Sequence, residues 1–439
     1  MRGKRREPET ATIAGATHDG RGIAATDGKK VFVAGALPGE TVRFIRRKRR
    51  RNFDEAELLE VLEPSAERVE PRCAVYGRCG GCSLMHVSLE EQRAIKGRTL
   101  SDNLERIGRV EPERWLEPMA GEGWNYRRRA RLAVKDVPAK GRTLVGFRER
   151  HAPFITDMSR CEVLAKPVDG LLEALSGLIG SLSIRARLPQ IEVAVADDAV
   201  AFVFRVLDPP NAGDIAAFEA FAGDNDVSVY LQTGGPDTIS ALAPASPDPL
   251  YYDLPGFDVR MHFEPADFVQ VNGEINRAMV AAAVELLEVA PSHRVLDLFS
   301  GIGNFSLPLA RRAGSVLGIE GDAGLVRRAA ANAAHNGIDN AEFLSVDLAA
   351  IDGTEDWLAA GCDRLLLDPA RSGAEAVVER IGKLDPERIV YVSCHPGTLA
   401  RDAGILVHDA GYRLEAAGII DMFPHTAHVE SIAVFNKEN

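Results

Sequence analysis

The sequence predicts an α/β protein whose C-terminal part forms a mostly parallel, doubly wound sheet. Three observations support this prediction. From residue 263 onward, apolar runs such as RVLDLF, SVLGIE and RIVYVSC alternate with helical segments, the pattern of strands joined by crossover helices. Residues 10–62 alternate short apolar runs with Asp-Gly and Pro-Gly turns, which favours a small OB-like β-barrel. Residues 125–262 are mostly strand-like with one helix, which indicates a central β-rich α+β domain.

A chain of 439 residues is long enough for two or three domains, each with its own core. We place the domains at 1–66, 67–262 and 263–439, with boundaries near proline-containing segments. Hydrophobic residues make up 46% of the chain and charged residues 26%, as in a soluble globular protein. The basic start has no apolar run behind it, and no stretch approaches the roughly eighteen apolar residues of a membrane span. We therefore expect a cytoplasmic protein without membrane contact or an obligate protein partner.

Positive charge is concentrated near the N-terminus of an otherwise acidic chain. The net charge is −12, yet residues 1–62 carry fourteen Lys and Arg against nine Asp and Glu. The run RFIRRKRRRN holds seven basic side chains between Arg43 and Arg51 and no acid. It is either a solvated charge run or a strand that contacts phosphates. A second cluster, NYRRRARLAV, places four arginines beside two aromatic residues: Arg127, Arg128, Arg129, Arg131, Trp124 and Tyr126.

The segment SLEEQRAIKGRTLSDNLERIG, residues 88–108, predicts a helix. Ser88 followed three residues later by Glu91 has the spacing of a capping box, in which two side chains satisfy the first backbone N–H groups. We expect this helix to pack on the C-terminal domain.

A glycine-rich turn in LDLFSGIGNFSLPLA, residues 296–310, predicts a cofactor site. Gly301 and Gly303 allow a ligand to approach the backbone closely, but no third glycine opens the helix as in a dinucleotide motif. Glu320 closes the next strand, where an acid can bind ribose hydroxyls, and Asp347 follows the third strand. This acidic turn without phosphate-binding features suits S-adenosylmethionine; a dinucleotide or a purely structural turn is the alternative.

Three further strands carry residues that could take part in catalysis. The strand in LLLDPARSGA ends on Asp368, the strand RIVYVSC ends on Cys394, and DMFPHTAHVESIAVF places Glu430 in an apolar strand. A thiol, a carboxylate and a methyl donor suit pyrimidine C5 methylation, in which a thiolate adds to C6 and a base later removes the C5 proton. The alternatives are a helix cap for Asp368 and a core thiol for Cys394.

The segments DLFSGIGNFSLPLA, LLLDPARSGA, YVSCHPGTLARD and DMFPHTAHVES resemble, in this order, those of the bacterial RNA uracil-5 methyltransferases. The resemblance implies a Rossmann-like class I methyltransferase sheet with Cys394 as nucleophile and Glu430 as base. In DFVQVN it implies that Gln270 contacts the methyl donor and that Phe268 packs on the uracil. Four residues fall on donor-binding positions and a fifth on a donor or substrate position: Phe299, Asn304, Glu320, Asp347 and, fifth, Asp368. Two residues depart from the frequent family pattern, Ser300 in place of Cys and His395 in place of Asn.

The remaining cysteines predict a metal site. Cys73, Cys79 and Cys82 are spaced C-x5-C-x2-C, and Cys161 is a distant fourth thiol. Four thiols in a cytosolic protein suggest a metal rather than disulfides, and this spacing suits an iron–sulfur cluster better than zinc, which remains the alternative. The chain also resembles the family branch with an N-terminal TRAM domain and a [4Fe–4S] cluster at these four positions. Cys362 matches no motif and is expected to be an ordinary buried thiol.

The family branch with a TRAM barrel and a cluster modifies 23S ribosomal RNA, so the resemblance implies a folded RNA substrate with an extruded uridine. Two alternatives stay open. The same chemistry could act on transfer RNA, or the chain could be a non-catalytic iron–sulfur protein that binds RNA.

Overall fold

The computed structural model describes residues 7–438 apart from His18, Asp27 and His151. The described residues form two compact units. The N-terminal unit contains the chain up to Thr99 together with Arg148–Phe154 and Phe423–His428, and the C-terminal unit contains the rest. The finer division into three domains stays a prediction.

A closed five-stranded barrel forms the first part of the N-terminal unit, in the order β1-β2-β3-β5-β4. Alternating side chains of its strands point inward, as the alternation of apolar residues requires, and Ile13, Val33 and Phe44 are fully buried in its core. The barrel therefore confirms the predicted OB-like fold. Its strands are β1 Glu9–Ala16, β2 Gly22–Thr26, β3 Lys29–Ala34, β4 Thr41–Arg49 and β5 Phe53–Glu63.

The basic run of the sequence lies on β4, and acids of its antiparallel neighbour β5 pair with it. Arg43 lies 2.7 Å from Glu60, and Arg47 lies 2.5 Å from Glu57. All four of these side chains are about half exposed, so each ion pair contributes at most about 1 kcal/mol and a polyanion can compete for it. Both interpretations of the basic run therefore remain open.

Helix α1, Leu89–Asn103, continues into a π-helical turn over Leu104–Gly108. The backbone N–H of Glu91 donates to Ser88 Oγ at 3.2 Å, which is one half of the predicted capping box. The Glu91 carboxylate pairs with Arg98 at 2.5 Å. Leu100 and Leu104 are fully buried in the main core of the C-terminal unit.

The first sheet of the C-terminal unit has six strands in the order β12-β11-β10-β9-β7-β8, and two helices accompany it. A separate two-stranded ribbon, β13-β14, follows. The short strand β6, Arg114–Trp115, precedes this region in the chain but belongs to the second sheet. The elements of this region, in chain order, are β7 Arg129–Val137, β8 Arg142–Gly146, α2 Leu172–Ser181, β9 Gln190–Val195, β10 Val200–Arg205, α3 Ala212–Asn225, β11 Ser228–Gln232, β12 Ile239–Ala243, β13 Leu250–Leu254 and β14 Val259–Phe263.

The second sheet has eight strands in the order β17-β16-β15-β18-β19-β21-β20-β6. Strands β15 to β19 are parallel, β21 is antiparallel to both of its neighbours, and β6 pairs in parallel with β20. This confirms the predicted doubly wound sheet. Its elements are α4 Gly273–Leu286, β15 Arg294–Leu298, α5 Ser306–Ala310, β16 Ser315–Glu320, α6 Ala323–His335, β17 Ala341–Ser345, α7 Asp356–Ala359, β18 Arg364–Leu367, α8 Glu375–Val378, α9 Ile381–Leu384, β19 Arg388–Ser393, α10 Pro396–His408, β20 Tyr412–Ile420 and β21 Glu430–Lys437.

The strand order reverses direction at β15. The chain builds β15, β16 and β17 outward on one side and then returns to place β18 on the other side of β15. Open α/β sheets bind ligands at the carboxyl ends of their strands at such a switch point, which here lies between β15 and β18. In the described part of the chain, no helix combines the length and the apolar composition that crossing a bilayer requires.

Candidate active site

Strand register brings Cys394 and Glu430 together. The antiparallel pairing of β19 with β21 ends at Ser393 and Ser431, so the next residues, Cys394 and Glu430, face each other at the sheet edge. Directly opposed residues of such a pair have Cβ atoms about 5 Å apart. Cys394 is partly exposed, whereas Glu430 is only 4% exposed. The thiol therefore lies at the edge with a buried carboxyl group beside it, and it is not a core filler.

Asp368 lies at the same edge, one residue beyond β18. Its backbone N–H donates to Leu298 O at 3.3 Å, which ties it to the end of β15. The next helix begins only at Glu375, so Asp368 does not cap a helix. The structure thus brings three of the predicted site residues to neighbouring strand ends.

Burial raises the proton affinity of all three groups. It raises the pKa of Glu430 to about 7 and, reinforced by the charges of Glu430 and Asp297, holds that of Asp368 well above its usual range. Burial, followed by the charges of Glu430 and Asp368, raises the pKa of the Cys394 thiol to about 11. Arg371 opposes the shift in both Cys394 and Glu430. The site can therefore hold a neutral carboxyl at Asp368 and a proton acceptor near neutrality at Glu430.

The chain turns sharply after Cys394 because α10 begins there. His395 caps this helix by accepting the Thr398 N–H at its Nδ1, 3.2 Å away, and Pro396 occupies the first helical turn. The Thr398 hydroxyl also donates to Arg371 O at 3.3 Å. The N-terminus of this thirteen-residue helix favours negative charge, so it partly opposes the burial that raises the pKa of the Cys394 thiol.

The glycine-rich turn after β15 is shaped for a bound ligand. Phe299 has a φ of 66° and Gly303 a φ of 94°, a backbone conformation in which a non-glycine residue such as Phe299 is strained. The Gly301 N–H donates to one carboxylate oxygen of Glu320 at 3.1 Å, and the Asp322 N–H donates to the other at 3.0 Å. Each oxygen keeps a second lone pair for a ribose hydroxyl.

Buried polar atoms below this turn remain available. Asp297 is fully buried, and Ser306 Oγ donates to one of its carboxyl oxygens at 2.5 Å. Its other oxygen and Ser300 Oγ have no hydrogen-bond partner among the described residues. Burial, then the charge of Glu320, raises the pKa of Asp297 to about 7. Unpaired buried polar atoms are costly, so this donor set fits a polar cofactor at the turn.

Asn304 is held by two residues that the sequence analysis did not identify. Its Oδ1 accepts from the Tyr252 hydroxyl at 2.8 Å and from Asn276 Nδ2 at 3.1 Å, and its Nδ2 donates to Asn276 Oδ1 at 2.9 Å. The two amides thus form a reciprocal pair that Tyr252 completes. No sequence signal links these positions, because they lie on β13, on α4 and in the turn after β15.

The remaining predicted residues have no described contact with the thiol. Phe268 is 71% exposed, and Gln270 is partly buried two residues later. Asp347 is exposed two residues beyond β17, and it accepts the Ala349 N–H at 3.0 Å. An exposed aromatic ring such as Phe268 is suited to stacking on an unpaired base.

Comparison with known proteins identifies the family. The chain is 53% identical over 433 residues to a protein of Alkalilimnicola ehrlichii named 23S rRNA (uracil(1939)-C(5))-methyltransferase RlmD, with 99% of this chain and 97% of the relative covered. It is 52% identical to the identically named protein of Nitrosococcus oceani, covering 98% and 96%. The chain belongs to the RNA uracil-C5 methyltransferase family. The predicted family and enzyme class are therefore confirmed.

Two family models match separate parts of this uracil-C5 methyltransferase. The model tRNA (Uracil-5-)-methyltransferase matches residues 253–438, and the TRAM domain model matches residues 3–58. Among solved structures, the tRNA (uracil-54, C5)-methyltransferase of Pyrococcus abyssi in complex with S-adenosyl-L-homocysteine superimposes with a TM-score of 0.75. Its sequence is 25% identical, and the match covers 97% of this chain and all of the other.

The cysteines of the predicted metal site in this methyltransferase are all outside disulfides. The Gly81 N–H donates to Cys79 Sγ at 3.4 Å, the kind of N–H···S bond that supports cluster thiolates. Within the part of the chain that the structure describes, no three His, Cys, Asp or Glu side chains are grouped as metal ligands. The donor chemistry fits an iron–sulfur cluster, which stays a prediction. Cys362 is partly buried, and burial raises its pKa to about 12, as for an ordinary structural thiol.

Proposed function

We propose that this enzyme methylates C5 of one uridine in 23S ribosomal RNA with S-adenosylmethionine as the methyl donor. The facing positions of Cys394 and Glu430 at the carboxyl edge of the sheet carry this proposal, because C5 methylation requires a nucleophile and a base at one pyrimidine ring.

Bound at the glycine-rich turn, S-adenosylmethionine supplies an electrophilic methyl group on a sulfonium. Glu320 would accept its ribose hydroxyls, and Asp347 would lie near the adenine. Phe299, Asn304 and Gln270 would complete the donor site. The unpaired Asp297 oxygen and Ser300 Oγ lie under the same turn and support a polar ligand there.

The first chemical step is addition of Cys394 to C6 of the uracil, for which the partly exposed thiol gives its proton to water and reacts as the thiolate. A bond forms between Sγ and C6, and the electron pair of the C5=C6 bond moves toward O4. Burial raises the pKa of Asp368 and so favours its protonated form, and a protonated carboxyl can donate to a ring carbonyl oxygen while accepting N3–H. Such a donor stabilises the negative charge that develops on O4. The exposed Phe268 ring would pack on the extruded base.

Methyl transfer and elimination complete the reaction. C5 forms its bond to the methyl carbon as the bond between that carbon and the donor sulfur breaks. The Glu430 carboxylate then takes the C5 proton, the C5=C6 bond reforms, and the bond between Sγ and C6 breaks. Burial raises the pKa of Glu430 to about 7, which makes its carboxylate a stronger base than an ordinary one near neutral pH.

Ribosomal RNA is favoured over transfer RNA as the substrate. Relatives about half identical over nearly the whole chain are named for 23S rRNA, whereas the solved structure named for tRNA is 25% identical. The TRAM barrel provides an RNA-binding surface for either substrate.

We also propose that Cys73, Cys79, Cys82 and Cys161 hold a structural [4Fe–4S] cluster, which takes no part in the methyl transfer. Protein purified without oxygen should contain iron and sulfide and absorb visible light. Cys82→Ser should lose both, whereas Cys362→Ser should keep them. Zinc in place of iron, or no metal at all, would contradict this proposal.

The catalytic proposal is tested with 5-fluorouridine, whose C5 fluorine cannot leave as a proton does. Fragments of 23S rRNA and of tRNA with 5-fluorouridine at the target position are mixed with enzyme and S-adenosylmethionine, and a denaturing gel shows covalent complexes. We expect a complex with the ribosomal fragment that Cys394→Ala abolishes and Cys362→Ala retains.

The other outcomes separate the alternatives. A complex with tRNA alone would keep the mechanism and overturn the substrate. No complex with either RNA, from folded protein, would favour the non-catalytic alternative.

A further inference from the structure

A cavity of about 550 Å³ lies within the N-terminal unit, apart from the residues of the proposed reaction. Four parts of the chain form its walls: Asp19 and Arg21 before β2 with Ala34 at the end of β3, residues 80–83 of the cysteine loop before α1, Arg150, and residues 426–428. Three basic side chains line it, Arg21, Arg150 and His428.

The two arginines are held in place by the protein itself. Arg21 Nε donates to Asp19 at 3.0 Å, and its guanidinium lies over the Phe32 ring at 5.0 Å. The bonds that the structure gives Arg21 use Nε and its backbone, which leaves the two Nη groups for a ligand. Arg150 Nη2 donates to Cys82 O at 2.5 Å. Fixed donors lose little conformational entropy on binding, so they are suited to bind an anion.

The wall is positively charged overall. Asp19 is the one carboxylate among the described residues that line the cavity, and it is engaged by Arg21 and by the Thr17 hydroxyl. The other polar lining groups are hydroxyls of Ser83 and Thr426. Two guanidiniums with hydroxyls match a phosphate and a sugar, and the volume admits a single nucleotide rather than a duplex.

Chain connectivity links this cavity to the proposed base. His428 precedes Glu430 by two residues, so their Cα atoms are no more than about 7 Å apart. Chain connectivity alone thus keeps His428 close to the proposed base.

We infer that this cavity binds the phosphate and sugar of one RNA nucleotide that flanks the target uridine. The inference rests on the proposed function, and it adds a recognition site outside the methyltransferase sheet. Arg21 and Arg150 contact the phosphate, and the RNA strand is thereby fixed on one side of the extruded base.

Affinity for a 23S rRNA fragment, measured by fluorescence anisotropy, tests the site. Arg21→Gln should weaken Kd about tenfold, as expected for one charge-assisted contact, and should lower the salt dependence by about 0.7 in slope. Arg98→Gln is the matched control, because Arg98 is an exposed, paired arginine of the same unit outside the cavity.

A second pair of variants avoids disturbing the arginines. Ala34 lines the cavity at the end of β3. Ala34→Glu places a carboxylate in it, and Ala34→Gln adds the same bulk without charge. We expect the Glu variant to bind RNA about tenfold more weakly than the Gln variant. Equal affinities for this pair would overturn the inference, as would equal effects of Arg21→Gln and Arg98→Gln.

Methylphosphonate linkages, which remove one phosphate charge at a time, locate the contact. One linkage beside the target uridine should weaken binding of the wild type but not of Arg21→Gln. Absence of such coupling at every linkage contradicts the inference. Formation of the covalent fluorouridine complex at saturating RNA distinguishes the two proposals. If the wild type forms this complex and Arg21→Gln binds RNA with wild-type affinity, only the cavity proposal fails. If the wild type forms no complex, the proposed function fails.

Discussion

At the residue scale, Glu430 is a carboxyl group in surroundings that disfavour its charge. Burial raises its pKa from 4.5 to about 7, so the folded protein binds a proton that the unfolded chain releases between these values. Stability is therefore lost as pH rises through this window, by up to about 3 kcal/mol. Glu430→Gln cannot ionise, so its melting temperature relative to the wild type should increase from pH 4.5 to pH 8. Thermal unfolding across this range measures the difference.

Glu342→Gln, which alters an exposed carboxylate on β17, is the control and should show no such trend. A constant difference between Glu430→Gln and the wild type at all pH values would show that Glu430 is not the group held neutral by burial.

The residues of the proposed site are easier to recognise in the sequence than their protonation states. Cys394, Glu430 and Asp368 stand out in the sequence because each interrupts an apolar strand at a position where a turn or a costly burial follows. The pKa values of Cys394 and Asp368 depend on charges of residues on other strands, among them Glu430, which pattern within one strand does not reveal. The sequence analysis accordingly treated Asp368 as a carboxylate, whereas burial in the structure raises its pKa and favours the protonated form.

At the element scale, the ribbon β13-β14 supports the proposed donor site through one hydroxyl. Tyr252 is buried, and burial raises its pKa, so it stays a neutral donor to Asn304 Oδ1. Tyr252→Phe removes this bond and leaves the Asn304 amide held by its reciprocal pair with Asn276 alone. We expect KM for S-adenosylmethionine to rise about fivefold with little change in kcat, as for the loss of about 1 kcal/mol of ground-state binding. Steady-state kinetics with varied donor concentration measures this.

Tyr251→Phe is the matched control, because the neighbouring Tyr251 lies on the other face of the same strand and pairs with His262. If Tyr252→Phe changed only the melting temperature and left KM unaltered, the bond to Asn304 would be purely structural.

Local sequence patterns predicted the individual helices and strands but not the pairings between strands that are distant in the sequence. The alternating strands and helices after residue 263 identified the parallel sheet, and Ser88 marked the start of α1. The two-residue strand β6 pairs with β20 about three hundred residues later, and the strand propensities of two residues are not enough to predict this pairing. The partner acids of the basic strand β4 were visible in the sequence, but their register with it was not.

At the scale of the whole molecule, the N-terminal unit includes a short segment from near the end of the chain. Phe423–His428 belongs to this unit, although β20 before it and β21 after it belong to the other. The predicted domain boundaries assumed continuous ranges, and a sequence pattern cannot show such a return because its bonds join residues over three hundred positions apart.

Helix α1 holds this segment from within the unit. Gln92 is fully buried, its Oε1 accepts the His425 N–H at 2.7 Å, and its Nε2 donates to Val87 O at 2.8 Å. Lys96 Nζ donates to Phe423 O at 2.9 Å. His425 has a φ of 65°, a strained conformation for a residue with a side chain, and it requires such support.

Because Glu430 follows this segment by two residues, Gln92 should control the placement of the proposed base. Gln92→Ala leaves the His425 N–H without its partner, so we expect kcat to fall about tenfold while KM for S-adenosylmethionine stays unchanged. A slower proton removal should also leave a larger fraction of enzyme covalently joined to ordinary, methylated RNA on a denaturing gel. Glu90→Ala, an exposed change on the same helix, should behave as the wild type. If Gln92→Ala lowered stability alone, with kcat and the trapped fraction as in Glu90→Ala, Phe423–His428 would not position Glu430.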